Sequence, residues 1–109
     1  MDSIEELRSK IKKFVTDRDW NQFHSPSNLA KSISIESAEL LECFQWSDTE
    51  YSLNDVKEEL ADVMNYCIQM SIALDLDIKD IILEKLKKTE AKYPIEKCKG
   101  ISTKYDKLK

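Results

Sequence analysis

SPSNLAKSISIESAELLECFQW, residues 25–46, decides how this chain folds. It opens on Ser25-Pro26, a capping hydroxyl followed by the imino acid that suits the first position of a helix. Leu29, Ile33, Leu40 and Phe44 then recur at helical spacing, so the stretch is a helix with one apolar stripe. Upstream, Ile4, Leu7, Ile11, Phe14 and Val15 mark a first helix, with Ser3 as its N-cap and its end near Asp17. The intervening RDWNQFHSPSN is a loop with two aromatics and the only histidine. Downstream, polar DTEYSLND leads into a third helix from about Asn54 to Leu74, with Val56, Leu60, Val63, Cys67, Met70 and Leu74 as its stripe. Asp77 caps a fourth helix carrying Ile78, Ile81, Ile82, Leu86 and Tyr93, which Pro94 stops. No period-two alternation competes, and the expected architecture is an all-α four-helix bundle spanning 1–94, with a Lys-rich, mobile or partner-dependent tail at 95–109.

The carboxylates sort into two kinds once they are placed against these stripes. At about 100° per residue, with Leu29 as zero, Glu36 falls near −20° and Glu39 near −80°. Glu36 therefore lies inside the apolar stripe and Glu39 borders it. On the third helix, with Val56 as zero, Glu59 falls near −60°, Tyr66 near −80° and Asp62 near −120°, while Glu58 points toward water. An unpaired charge in a core costs several kcal/mol, so carboxylates kept there need a cation. Lysines lie mostly on the first and fourth helices. Two such pairs on consecutive helices would gather four carboxylates, an all-oxygen set suited to Mg²⁺ or Mn²⁺ rather than zinc or copper. The competing reading is a solvated acidic face.

Composition removes several alternatives. The chain has one glycine in 109 residues, where average usage of about 7% predicts roughly seven or eight. Phosphate cradles built on glycine-rich loops, of the P-loop or Rossmann kind, are therefore excluded. Seventeen basic against 21 acidic residues give a net charge of −4, the wrong balance for a groove-binding nucleic-acid protein. Cys43, Cys67 and Cys98 form no CxxC, and with a single histidine they make no zinc constellation. Cys43 and Cys67 fall in apolar helical runs and read as small core hydrophobes. The N-terminus has no signal-like apolar region and no run approaches the length of a membrane span, so a reduced, cytoplasmic, soluble protein is expected.

Three stretches carry a resemblance: RDWNQFHSPSNLAKSISIESAELLECFQW (18–46), EELADVMNYC (58–67) and KLKKTEAKYP (85–94). Together they resemble the MazG-like all-α nucleotide pyrophosphohydrolases, and within them the dCTP pyrophosphatase branch. The resemblance implies that Glu36, Glu39, Glu59 and Asp62 are the magnesium ligands and the catalytic set. It implies nucleotide contacts from Trp20, Asn21, Gln22, Phe23, His24, Trp46 and Tyr66, and phosphate contacts from Lys85, Lys88 and the Thr89 position. It also implies hydrolysis of a (deoxy)nucleoside triphosphate to monophosphate and pyrophosphate by a homodimer or a homotetramer made of dimers. Two positions depart from the pattern. Thr89 stands where the family motif has asparagine, and Ile11 stands where dCTP-preferring relatives carry a polar residue.

The chemistry suits such a set, because triphosphate hydrolysis needs charge neutralisation and alignment of a water more than covalent catalysis. Glu39 is a candidate base as well as a ligand, and Glu42 a candidate for orienting a ligand or water. Trp20, Phe23, Trp46 and Tyr66 offer stacking surfaces for a base. Their alternative is core or dimer packing, and for His24 it is loop packing. The expected substrate is dCTP or a modified dCTP, with dUTP and dTTP next. The alternative functions are a non-catalytic nucleotide-binding or protein-interaction dimer.

Overall fold

A computed structural model describes residues 2–109, and among them the regular structure is entirely helical. Four long helices are present: α1 over Ser3–Asp17, α2 over Pro26–Glu42, α3 over Leu53–Ala73 and α4 over Ile78–Lys92. A short α5 follows at Ile95–Cys98, and 3-10 turns occupy Trp20–Phe23 and Tyr105–Lys107. The all-α expectation is met, and α1, α3 and α4 begin and end within about two residues of the expected bounds, whereas α2 stops at Glu42, so that Phe44 and Trp46 lie in the turn beyond the helix rather than on its stripe.

Each long helix starts on a side-chain cap. Ser25 Oγ accepts from the Asn28 amide at 3.1 Å with Pro26 at the first helical position. Ser52 and Asp77 cap α3 and α4 through the amides of Asp55 and Asp80. The N-cap of α1 is Asp2, not Ser3. Asp2 Oδ1 accepts from the Glu5 amide at 2.8 Å, while Glu5 Oε2 accepts from the Asp2 amide at 3.3 Å. This reciprocal box satisfies two otherwise stranded donors, and the Asp2 charge also faces the positive end of the helix dipole.

The chain divides into two compact units, one ending at Leu76 and one running from Asp77 to Lys109. In the first, α2 packs along α3, and α1 packs on α3 and on the 3-10 turn. Val15, Leu29 and Ile68 are its buried apolar residues, and Ser71 is buried with its hydroxyl donating to the Ile68 carbonyl at 2.6 Å. Arg8 ties α1 to the far end of α3. Its guanidinium donates to the Leu76 carbonyl at 2.7 Å and lies 3.8 Å from the Asp75 carboxylate. Asp75 turns the chain there at φ 52°, a left-handed conformation that aspartate tolerates better than most side chains.

The α3 stripe is only partly covered. Val56, Val63 and Met70 are half-buried, but Leu60, Cys67 and Leu74 are exposed, so Cys67 is not a core residue of the single chain. The apolar arc of α3 is wider than α1 and α2 together can cover. Cys43 is half-buried and its thiol lies 3.7 Å from the Glu39 carbonyl.

In the second unit, Tyr105 of the Lys-rich 95–109 segment lies against the end of α4. The Tyr105 amide donates to the Tyr93 hydroxyl at 3.1 Å, the two rings meet edge to face at 6.1 Å, and Lys92 Nζ lies over the Tyr105 ring at 4.6 Å. Aromatic and cation–π contacts supply here what the weak helical period of this segment does not.

Ser25→Ala should cost about 1 kcal/mol by removing the α2 cap. Its thermal midpoint should fall by several degrees, whereas Ser27→Ala, on an exposed first-turn residue, should shift it little.

Candidate metal centre

α2 and α3 bring their carboxylates together because their acidic ridges border the interface they share. One oxygen each from Glu36, Glu59 and Asp62 lies within 4.8 Å of the others. Glu36 and Glu59 are half-buried and Asp62 is exposed, so the cluster opens to solvent on the Asp62 side. Glu36 Oε2 and Glu59 Oε2 are shielded from solvent and have no hydrogen-bond partner. Glu39, exposed on α2, stands beside this triad rather than within the same 4.8 Å. Its carboxyl nevertheless reaches both neighbours.

That crowding shows in the proton affinities. The contact with the Glu39 carboxyl, then burial, then repulsion from Glu39, Asp62 and Glu59, pushes Glu36 up to about 7 from an ordinary 4.5. Burial first, and the Glu39 contact second, raises Glu59 as well. Burial also raises the Cys43 thiol, with Glu59 and Asp55 adding repulsion. The cluster thus holds acceptors with no donor, and it must bind protons or a cation. An all-oxygen set with two stranded buried atoms fits a divalent ion of the hard class.

The other expected residues divide by position. Tyr66 is half-buried on α3, one turn beyond Asp62 and on the same ridge. Asn21 and His24 line a cleft of about 280 Å³ with Lys12, Val15, Pro26, Gln69, Ile72 and Ala73. Trp20 packs edge to face on Phe14 at 5.6 Å and is 44% exposed. Gln22 is turned to Asp19, donating to its carbonyl and carboxylate at 3.1 and 3.2 Å. Phe23 and Trp46 are 60% and 89% exposed and are not drawn to the carboxylates by any contact within the single chain. Glu42 is exposed beside Leu41 and Phe44, outside the triad. Lys85 and Thr89 belong to the second unit, where they line a shallow groove with Ile81, Ile82 and Leu86. Thr89 Oγ1 donates to the Lys85 carbonyl at 3.1 Å.

Gln69 is not among the residues that motif spacing singles out, yet a signal for it exists. It lies three positions after Tyr66, near −140° with Val56 as zero, which continues the ridge of Glu59, Asp62 and Tyr66.

Metal-free protein should lose stability as pH rises from about 4.5 to about 7. A carboxyl with a raised folded-state pKa stabilises the fold fully below its unfolded value, and that contribution disappears as the pH passes the folded one. Relative to Glu36→Gln, thermal melts in chelator should therefore show a steeper decline over this window. Mg²⁺ should raise the midpoint at pH 8 by on the order of 10 °C at about 100 times its dissociation constant, and much less at pH 5. A melt of the parent protein as flat as that of Glu36→Gln would contradict the crowding.

Comparison with known proteins agrees with this geometry. Residues 31–108 match the model of the MazG-like family. A dCTP pyrophosphatase 1 of Mus musculus is 32% identical across 97% of this chain and 68% of its own length. Its counterpart in Homo sapiens is 32% identical over the same shares. In structure the chain is similar to a pyrophosphatase from Archaeoglobus fulgidus, with a TM-score of 0.76 and 36% identity, covering 86% of this chain and 94% of that one. With its family match and its relatives both extending across most of the chain, this protein belongs to the MazG-like family.

Proposed function

We propose that this chain is a divalent-metal-dependent nucleoside triphosphate pyrophosphatase, converting a (deoxy)nucleoside triphosphate to monophosphate and pyrophosphate. The observation that carries the reading is the convergence of Glu36, Glu59 and Asp62 within 4.8 Å, with two of their oxygens buried and unpartnered. Glu36, Glu39, Glu59 and Asp62 would hold Mg²⁺, with Mn²⁺ as substitute. The chemistry a bound divalent ion supplies is neutralisation of phosphate charge and a lowered pKa for water.

The chain's own groups account for the remaining requirements. Glu39 stands next to the triad with an exposed carboxyl, suited to accept a proton from the attacking water. The water oxygen bonds to the α-phosphorus, the bond from that phosphorus to the α–β bridging oxygen breaks, and pyrophosphate leaves with the electron pair. The opening on the Asp62 side gives the triphosphate access. Asn21 and His24 line the cleft beside α3 and Tyr66 lies on the acidic ridge one turn beyond Asp62, and all three suit contacts to sugar and base. Trp46 at 89% exposed offers a stacking face.

Names of the relatives make dCTP, or a modified dCTP, the first substrate to test, followed by dUTP and dTTP. Assembly as a dimer or tetramer is supported by apolar surface left open on the first unit. Leu41 is 71% exposed and Ile35 60% exposed, alongside exposed Leu60, Met64 and Leu74. Lys85 and Thr89 are the α4 residues suited to phosphate contacts. Among the described residues no helix is long and apolar enough to cross a membrane, and three free thiols suit a reducing cytoplasm.

With Mg²⁺ and a panel of dNTPs, pyrophosphate rather than orthophosphate should be released. Glu36→Ala and Asp62→Ala should each lower turnover by about 100-fold or more while far-UV circular dichroism stays nearly unchanged. Retained turnover in both variants would reject the site. Trp46→Ala should raise KM by up to about tenfold with kcat little changed, and an unaltered KM would remove the stacking role.

A further inference from the structure

Gln69 presents a polar atom that the protein itself leaves unused. Its side chain lines the cleft beside α1 and the 3-10 turn. Its Nε2 is committed, donating to Asn65 Oδ1 at 2.8 Å. Its Oε1 is shielded from solvent and has no partner. A stranded buried acceptor costs about 1–3 kcal/mol, and a glutamine with freedom to turn outward would avoid that cost. The Asn65 bond engages only Nε2, so the acceptor stays stranded within the protein, and a small turn of the amide about its Cγ–Cδ bond brings it to a donor in the cleft.

The surroundings say what kind of molecule brings that donor. Val15, Pro26, Ile72 and Ala73 give the cleft apolar walls, while Asn21, His24 and Gln69 supply a few polar groups. That balance suits a flat heterocycle with polar edges better than it suits phosphate or sugar. The walls carry no carboxylate and a single cation, Lys12. Position agrees with this choice. Gln69 lies seven residues beyond Asp62 on the same ridge of α3, about 10 Å along the helix axis. A nucleotide with its phosphates at the carboxylates would extend its base in this direction.

We infer that Gln69 is a specificity-determining residue that accepts a hydrogen bond from the exocyclic amino group of the nucleotide base, and so favours amino-bearing over keto-bearing bases. The inference rests on the hydrolase reading for the position of the phosphates, but the acceptor, the cleft and the Asn65 bond are independent of turnover. Cytosine and adenine share the amino group, and the size of the cleft decides between them. A site built to satisfy a buried acceptor discriminates strongly, because the wrong base leaves it unpaired.

Calorimetric binding of dCMP, dAMP, dUMP and dTMP to the full chain with Mg²⁺ tests this without requiring hydrolysis. The parent protein should bind an amino-bearing nucleotide about tenfold or more tighter than dUMP. In Gln69→Leu that ratio should fall to near one, mainly through loss of the amino-bearing ligand. Gln69→Glu retains the acceptor oxygens and should keep the preference. The free Gln69→Leu protein should melt no lower than the parent, whereas a glutamine with only a structural role would cost stability when removed. A parent without preference, a preference surviving in Gln69→Leu, or an equal loss for all four ligands would overturn the inference. Pyrophosphate release by the parent protein is measured separately. A collapse of base preference in Gln69→Leu without any pyrophosphate release would remove the hydrolase and keep the base reader, and the converse pattern would do the opposite.

Discussion

The organising constraint is that α2 and α3 pack together along edges that both carry carboxylates. Hydrophobic burial of Leu29 and Ile68 draws the first unit together, and the same packing forces Glu36, Glu59 and Asp62 into one small volume. Like charges at that separation repel, and desolvation adds to the cost. The fold therefore carries a local strain that protons relieve at low pH and that a bound cation would relieve at neutral pH. A sequence selected for stability alone would place apolar side chains at Glu36 and Glu59.

Other features of the first unit read as support for that arrangement. The capped N-termini of α2 and α3 set where each helix begins, and hence the rotation at which the acidic ridges meet. Arg8 holds α1 against the end of α3 through the Leu76 carbonyl and Asp75. The carboxylate cluster and the cleft share one element, α3, whose successive turns carry Glu59, Asp62, Tyr66 and Gln69.

Exposed apolar surface is the counterpart of this economy. With three buried hydrophobic residues among those described, the single chain leaves Leu41, Leu53, Ile35 and Trp46 largely open. Surface of that kind suits partner contact more than it suits isolated solubility. The width of the α3 stripe has the same meaning, since it exceeds what two neighbouring helices can hide.

Local signals settled much of this chain on their own. Caps at Ser25 and Asp77, the breaks at Asp17 and Pro94, and the four helical periods were legible because capping and amphipathicity act within one or two turns. Glu36 was legible as misplaced because its angle on α2 follows from its own helix alone, and the two pairs implied a cation by charge balance. Tertiary structure decided what depends on neighbours. It made Asp2 rather than Ser3 the cap of α1, left Cys67 outside the core, and set Tyr105 against Tyr93. It separated Glu39 from the tight triad and stranded the Gln69 acceptor. Periodicity states which face of a helix is apolar, but whether a face is covered, and whether a polar atom on it finds a partner, is fixed only when another helix is laid against it.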